Sequence, residues 1–275
     1  MDEPTTLDAA ERDLLTGSLR RAMSESSGPA LDAALADLGW PDLLAEVPGF
    51  AVPTVFGLLG ETGAHASVLL DVLGRADAGE AAVPFAGGRW VLWSRAAEAA
   101  ATSVDQDLPL SPASAGTAPS EEALARGRWA LGWWLLGSGR AALALARAHV
   151  LERHQFGRPL AAFQAVRHRL AETLVALDGA RATLELADAA VCGADPDAAL
   201  IAALAKAAAG QAALTAARHC QQVLGGIGFT AEHDLHRHVR RILVLDGLLS
   251  SSVELTRQAG AHLRTTGSAP RLAQL

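Results

Sequence analysis

The sequence predicts a mainly α-helical protein with three parts: a helical unit over residues 1–73, a reduced β-region or linker over 74–119, and a four-helix bundle over 120–275. Three observations predict it. After Ser120 apolar residues recur every three or four positions almost to the end of the chain. Between residues 74 and 119 glycine and proline punctuate the sequence, and only Trp90-Val91-Leu92-Trp93 has strong strand character. Hydrophobic residues make up 50% and charged residues 19% of 275, enough apolar material for a sizeable core.

The elements follow in order. Leu7, Leu14, Leu15 and Leu19 fall near one face of a first helix. A second runs from about Ala30 to Leu38, where Gly39 stops it, and a third starts near Pro53. Leu108-Pro109-Leu110-Ser111-Pro112 is a poor helix and at best an edge strand. Ser120 is suited to cap a long helix reaching about His154, with Glu121 and Glu122 at its positive end. Gly157 and Pro159 force a turn, after which Leu160, Phe163, Val166, Leu170, Leu174 and Leu177 form an apolar stripe. Gly193-Ala194-Asp195-Pro196 breaks that helix, with Asp195 as N-cap and Pro196 in the first turn of the next. The third long helix is alanine-rich and ends in Gly225, Gly226 and Gly228. The last covers about Asp234 to Leu263, with an interruption near Ser250-Ser251-Ser252.

Several function classes are disfavoured. A net charge of -7 argues against non-specific nucleic-acid binding. Cys192 and Cys220 have no metal spacing and read as buried thiols. The N-terminus is polar, without a signal-peptide pattern, and Trp129–Leu136 is too short to span a bilayer. A cytoplasmic protein is expected.

Two segments carry a resemblance. Glu152-Arg153-His154-Gln155-Phe156-Gly157-Arg158-Pro159-Leu160, followed by Gln164 and Leu170-Ala171-Glu172, resembles the "ER-x-x-F-G-x-x-L, Q, LA-[ED]" signature of acyl-CoA dehydrogenases. Gln222-Val223-Leu224-Gly225-Gly226-Ile227-Gly228-Phe229 resembles that family's "Q-x-x-G-G-x-G-[FY]" run. Leu38-Gly39-Trp40 and Glu61-Thr62-Gly63 are more loosely similar to its N-terminal helical domain. The resemblance implies FAD as cofactor, an acyl-CoA thioester as substrate, and electron-transfer flavoprotein as acceptor. It implies assembly either with a larger subunit of the same family or as a homo-oligomer. The middle region departs from the family, whose β-domain is a substantial barrel over the flavin ring.

By the resemblance Arg153 binds the FAD pyrophosphate across a subunit interface, where a guanidinium fork makes two parallel charge-assisted hydrogen bonds. Its alternative is to cap the last carbonyls of its own helix. Gln155, Phe156 and Gln164 would lie along the same cofactor, and Gln222, Gly225 and Gly226 would meet its adenine end, since glycine lets backbone approach closely. Arg128 matches a family arginine near the active site, or is a solvated residue near the helix start. Trp129, Trp133 and Trp134 are either core or the wall of a pocket.

The family's catalytic base is a glutamate, either in a "Y-E-G-T" loop between the last two helices or near the start of the long helix. At the second position this chain has Gly127, and a gap-free alignment puts Ser250 at the first. Asp246-Gly247 is the remaining candidate, with a shorter reach than glutamate. Three functions therefore stand: a subunit of a hetero-oligomeric dehydrogenase, a homo-oligomer using Asp246, and a non-catalytic scaffold for a full-length relative.

Overall fold

The computed structural model describes residues 7–96, 103–193 and 195–267. Residues 1–6 of the polar N-terminus and Ala194 of the expected helix break lie outside them.

The first part is helical. Helix α1 (Ala9–Glu25) starts with Asp8 and Glu11 bonded reciprocally in a capping box. Helix α2 (Pro29–Asp37) gives way at Gly39, where φ is 79°. Helices α3 (Trp40–Glu46), α4 (Pro48–Thr62) and α5 (Val68–Val72) follow. The third expected helix is thus α4, and it begins at Pro48 rather than near Pro53. Proline in the first turn forgoes no ladder bond, whereas Pro53, inside the helix, forgoes one.

The β-region is small. Strands β1 (Glu80–Phe85), β2 (Arg89–Ser94) and β3 (Leu110–Ala113) form an antiparallel sheet in that order. β2 is the Trp90–Trp93 run, and β3 is the expected edge strand, its Leu110 opposite Trp93. β1 carries Ala81, Ala82 and Pro84, which hid it from a search for branched and aromatic residues.

The bundle starts with α6 (Glu121–Glu152), its N-terminus capped by the Ser120 side chain. A two-residue hairpin, β4 (His154–Gln155) with β5 (Arg158–Pro159), leads through a single 3-10 turn into α7 (Gln164–Cys192). Leu160 and Phe163 therefore precede α7 instead of opening it, and Leu174 of the expected stripe is 49% exposed. Helix α8 (Ala198–Leu224) begins after Asp197, because Asp195 and Pro196 form a turn in which Asp195 accepts the Asp197 N–H. The fourth helix is interrupted as expected, into α9 (Leu235–Gly247) and α10 (Ser252–Thr266).

One apolar core joins the N-terminal helices, the sheet and the bundle. Trp129 and Trp134 lie within it, and the indole N–H groups of Trp129 and Trp133 both donate to Asp188, tying α6 to α7. Cys220 is buried, but Cys192 is exposed at the end of α7, its Sγ close to Gly49. Helices α4 and α6 cross so closely that a methyl on Gly60 would stand 2.5 Å from the Ser138 nitrogen. Arg241 of α9 pairs with Asp105 while buried, and donates to the Ala64 carbonyl at 2.8 Å. Helix α8 is long and apolar enough to cross a membrane, yet over half of that window is buried inside the bundle.

Candidate functional site

Gly132 of α6 packs beside Leu184 and Lys206, and Gly139 beside Leu177 and Ala213; Lys206 bonds Asp246 while Cys220 and Leu224 cluster with Leu235, so successive bundle helices run antiparallel. This gathers the end of α6, the start of α7, the end of α8 and the start of α9 at one end of the bundle. The start of α6, the end of α9 and the start of α10 gather at the other.

At the first end Arg153 is the residue on which α6 stops. Its backbone closes the helix, but its guanidinium makes no hydrogen bond or ion pair to any described residue. The helix-capping alternative for this side chain is therefore not what it does. Gln155, Phe156, Gly157 and Arg158 form the hairpin turn, with φ of 54° at Phe156 and 77° at Gly157. Two successive left-handed residues make the tight turn that suits a two-residue hairpin. A phenylalanine there is strained, and its ring is 90% exposed. Only the edge-on ring of Phe163, at 6.2 Å between centroids, supports it, while Arg158 lies over Phe163. Gln164 is exposed on the first turn of α7.

Gln222, Gly225 and Gly226 are exposed at the same end. Gly225 needs glycine for its φ of 67°. Gly226 has an unremarkable φ and no atom within 4 Å of where a Cβ would sit, so nothing in the chain itself requires glycine there. Gly228, in contrast, packs against Gln221 and Leu224. The α7–α8 seam beneath is fastened by His219. Thr173 Oγ1 donates to the Arg169 carbonyl, so His219 Nδ1 donates to it at 2.8 Å, and His219 Nε2 accepts from Arg169 at 3.1 Å. Burial and the adjacent guanidinium lower the pKa of this imidazole, which fits its neutral role.

The other end is closed. Arg128 is half-buried and its Nε donates to the Leu249 carbonyl at 3.2 Å, so it is neither solvated nor free. A Cβ on Gly127 would lie 2.6 Å from Leu249 Cδ1 and 2.7 Å from Leu73 Cδ2. Asp246 is 8% exposed and points inward, where its Oδ1 accepts the Ser252 N–H at 3.1 Å. Beneath it lies Lys206, fully buried, which sequence reasoning missed because one lysine in an alanine-rich helix reads as a surface residue. Its Nζ donates to the carbonyls of Asp246 at 3.0 Å and Ser250 at 2.6 Å. Above, β1 docks on the α9–α10 connection: Ala86 N–H donates to the Gly247 carbonyl at 2.8 Å and Leu249 N–H to the Pro84 carbonyl at 2.9 Å. Gly87 N–H donates to Glu254 at 2.7 Å, and the Phe85 ring covers Gly247.

Residues 114–247 match the family model of the acyl-CoA dehydrogenase C-terminal domain. That match covers 134 of the 275 residues, just under half of the chain, and makes this stretch similar to the acyl-CoA dehydrogenase C-terminal domain. Acyl-CoA dehydrogenase FadE34 of Mycobacterium tuberculosis is 40% identical over 128 residues, 46% of this chain and 18% of its own length. Acyl-CoA dehydrogenase IpdE2 of the same organism is 37% identical over 123 residues, 45% of this chain and 37% of its own. The matched stretch thus spans well under half of these relatives. Among solved structures, the Tcur3481-Tcur3483 steroid ACAD has a TM-score of 0.73 at 20% identity, covering 94% of this chain and 99% of that one. Butyryl-CoA dehydrogenase of Megasphaera elsdenii has a TM-score of 0.67 at 17% identity, covering 96% and 100%. The ChsE4-ChsE5 complex of Mycobacterium tuberculosis gives 0.66 at 18% identity, covering 98% and 100%. These establish the acyl-CoA dehydrogenase fold.

The loop's geometry also suits an alignment one residue earlier than the gap-free one. Ser251 caps α10 in a reciprocal box with Glu254, the position that threonine suits in "Y-E-G-T". Ser250 has φ of 83°, the position that glycine suits. On that alignment Leu249, not Ser250, stands at the glutamate position. Leu249 touches the Gly127 site, so the two candidate base positions then meet at one spot, filled by leucine.

Proposed function

We propose that this chain is one subunit of a hetero-oligomeric acyl-CoA dehydrogenase, supplying the phosphate and adenine end of an FAD site and not the catalytic base. The observation that carries this reading is the contrast between the ends: an unengaged Arg153 at one, a leucine-filled base position at the other.

The first end fits the dinucleotide part of FAD. Arg153 offers a guanidinium with no hydrogen bond or ion pair among the described residues, Phe156 an exposed apolar face, and Gly226 an open backbone. Gln155, Gln164 and Gln222 supply amide donors and acceptors around them. The ends are far apart: Arg128 and Arg153 are 25 residues apart on one helix, about 38 Å at roughly 1.5 Å per residue. One extended cofactor therefore joins Arg153 to a ring site on another chain more readily than to the Arg128 end of this one. Bound flavin would supply the hydride acceptor for α,β-dehydrogenation of an acyl-CoA thioester. Among this chain's residues, Arg153 would hold charge, and Asp246, turned inward to the Ser252 N–H, is poorly placed to take a substrate proton. A partner chain would bring the ring-covering β-domain and a glutamate. Solved structures with this fold include a steroid ACAD and a glutaryl-CoA dehydrogenase recorded with FADH2.

The test is dye reduction with a panel of acyl-CoAs, together with visible absorbance of the purified protein. The lone chain should give negligible turnover, since loss of a required base lowers rates by about two to four orders of magnitude. The complex with a glutamate-bearing partner should turn over and be insensitive to Asp246→Asn. Turnover by the lone chain that disappears in Asp246→Asn would make Asp246 the base and overturn the reading.

A further inference from the structure

The connection between α9 and α10 is held in an unfavourable shape. Leu249 and Ser250 both have left-handed φ, 54° and 83°, and neither is glycine. Such residues persist only where their surroundings over-determine them. Two basic side chains provide the restraint. Arg128 reaches the Leu249 carbonyl from α6, and Lys206 reaches the carbonyls of Asp246 and Ser250 from α8. The loop in turn carries the β1–β2 hairpin through Pro84, Ala86 and Gly87.

We propose that Lys206 is a positioning residue and proton-operated latch: uncharged it fits beneath the closed loop, and on taking a proton it drives the loop and attached hairpin away from Gly127.

The physical case rests on what faces the amine. Lys206 is 0% exposed and its bonded partners are two carbonyls, not a carboxylate. Asp246 on α9 and Glu254 on α10 favour its charge, while Arg128 on α6 opposes it. Desolvation, aided by Arg128, outweighs the two carboxylates and brings the pKa from 10.5 down to about 7. In an open loop water would hydrate the ammonium and the ordinary value would return. The sign follows: between pH 7 and 10.5 the open state binds the proton and the closed state does not. Closure therefore strengthens as pH rises through that window and is constant below it. Opening would break the Pro84, Ala86 and Gly87 contacts together and uncover the Leu73–Gly127–Leu249 spot. The inference goes beyond the proposed function and does not depend on flavin binding at the other end.

Hydrogen exchange of residues 245–252, followed by mass spectrometry from pH 6 to 10 and corrected for intrinsic exchange, tests it. In the wild-type chain protection should be flat below about pH 7 and rise roughly tenfold per unit above it. A peptide from the middle of α7 should show no such break. Lys206→Met should remove the break. A flat wild-type profile overturns the proposal whether or not the variant folds, and so does a break that survives Lys206→Met.

Discussion

The two ends of the bundle use similar residues in opposite ways. Each has an arginine on α6, a tight connection with left-handed non-glycine residues, and glycines at the helix contacts. At the Arg128 end every one of these is used by the chain itself: the arginine and Lys206 bind loop carbonyls, the strained Leu249 and Ser250 are held from below, and Gly127 makes room for leucine. At the Arg153 end the guanidinium has no hydrogen bond or ion pair among the described residues, the strained Phe156 has its ring 90% exposed with Phe163 at its edge, and Gly226 stands in open space. Folding selects for the first kind of feature. The second kind points to something outside the chain.

The largest expected effect separates the ends with one residue type. Gly127→Glu places a carboxylate among Leu73 and Leu249, with no room for its Cβ. It should destabilise the chain by several kcal/mol, on the order of 4, in urea unfolding. Gly226→Glu, in open space, should stay within about 0.5 kcal/mol of wild type. A stable Gly127→Glu protein would mean that the closed end can open to admit a base, and the contrast would fail.

Next in size is Arg153→Ala. Because the side chain has no hydrogen bond or ion pair among the described residues, stability should change by less than about 0.5 kcal/mol. Flavin affinity of the assembled complex should fall by about 1.5–3 kcal/mol, roughly tenfold to a hundredfold. Unchanged flavin retention would leave the free guanidinium without a function and remove the cofactor assignment.

Much of this was legible in the sequence, for physical reasons. Helices α6, α7 and α8 declare themselves by period and by the Ser120 cap, and the break before α10 by its serine run. The Arg153 and Gly225-Gly226 segments are local runs that keep their meaning wherever the chain folds. The closed end was not legible, because it is made of contacts across long separations: Gly127 with Leu249, Lys206 with Ser250, Phe85 with Gly247. Asp246 looked like a base by its neighbour Gly247, and its inward bond to Ser252 needed the fold to be seen. The Leu249 register likewise needed φ at Ser250 and the cap at Ser251.

The smallest expected effect is on stability at Phe156, and it is the one that most directly asks why the residue is there. A left-handed conformation costs a non-glycine residue about 1–2 kcal/mol. Glycine would relieve this but loses roughly 0.5–1 kcal/mol more in unfolded-chain freedom. It also gives up the edge contact with Phe163, worth about 0.5–1.5 kcal/mol at most for a ring 90% exposed. These terms nearly cancel, so Phe156→Gly should unfold within about 1 kcal/mol of wild type. Phe156→Asn, which tolerates the turn without the ring, should do the same. Both should weaken flavin retention or partner capture in the assembled complex, because the ring's exposed face is the part that folding leaves unused. If either variant retains flavin and partner as wild type does but loses several kcal/mol of stability, Phe156 is a structural residue, and the open end is less open than its geometry indicates.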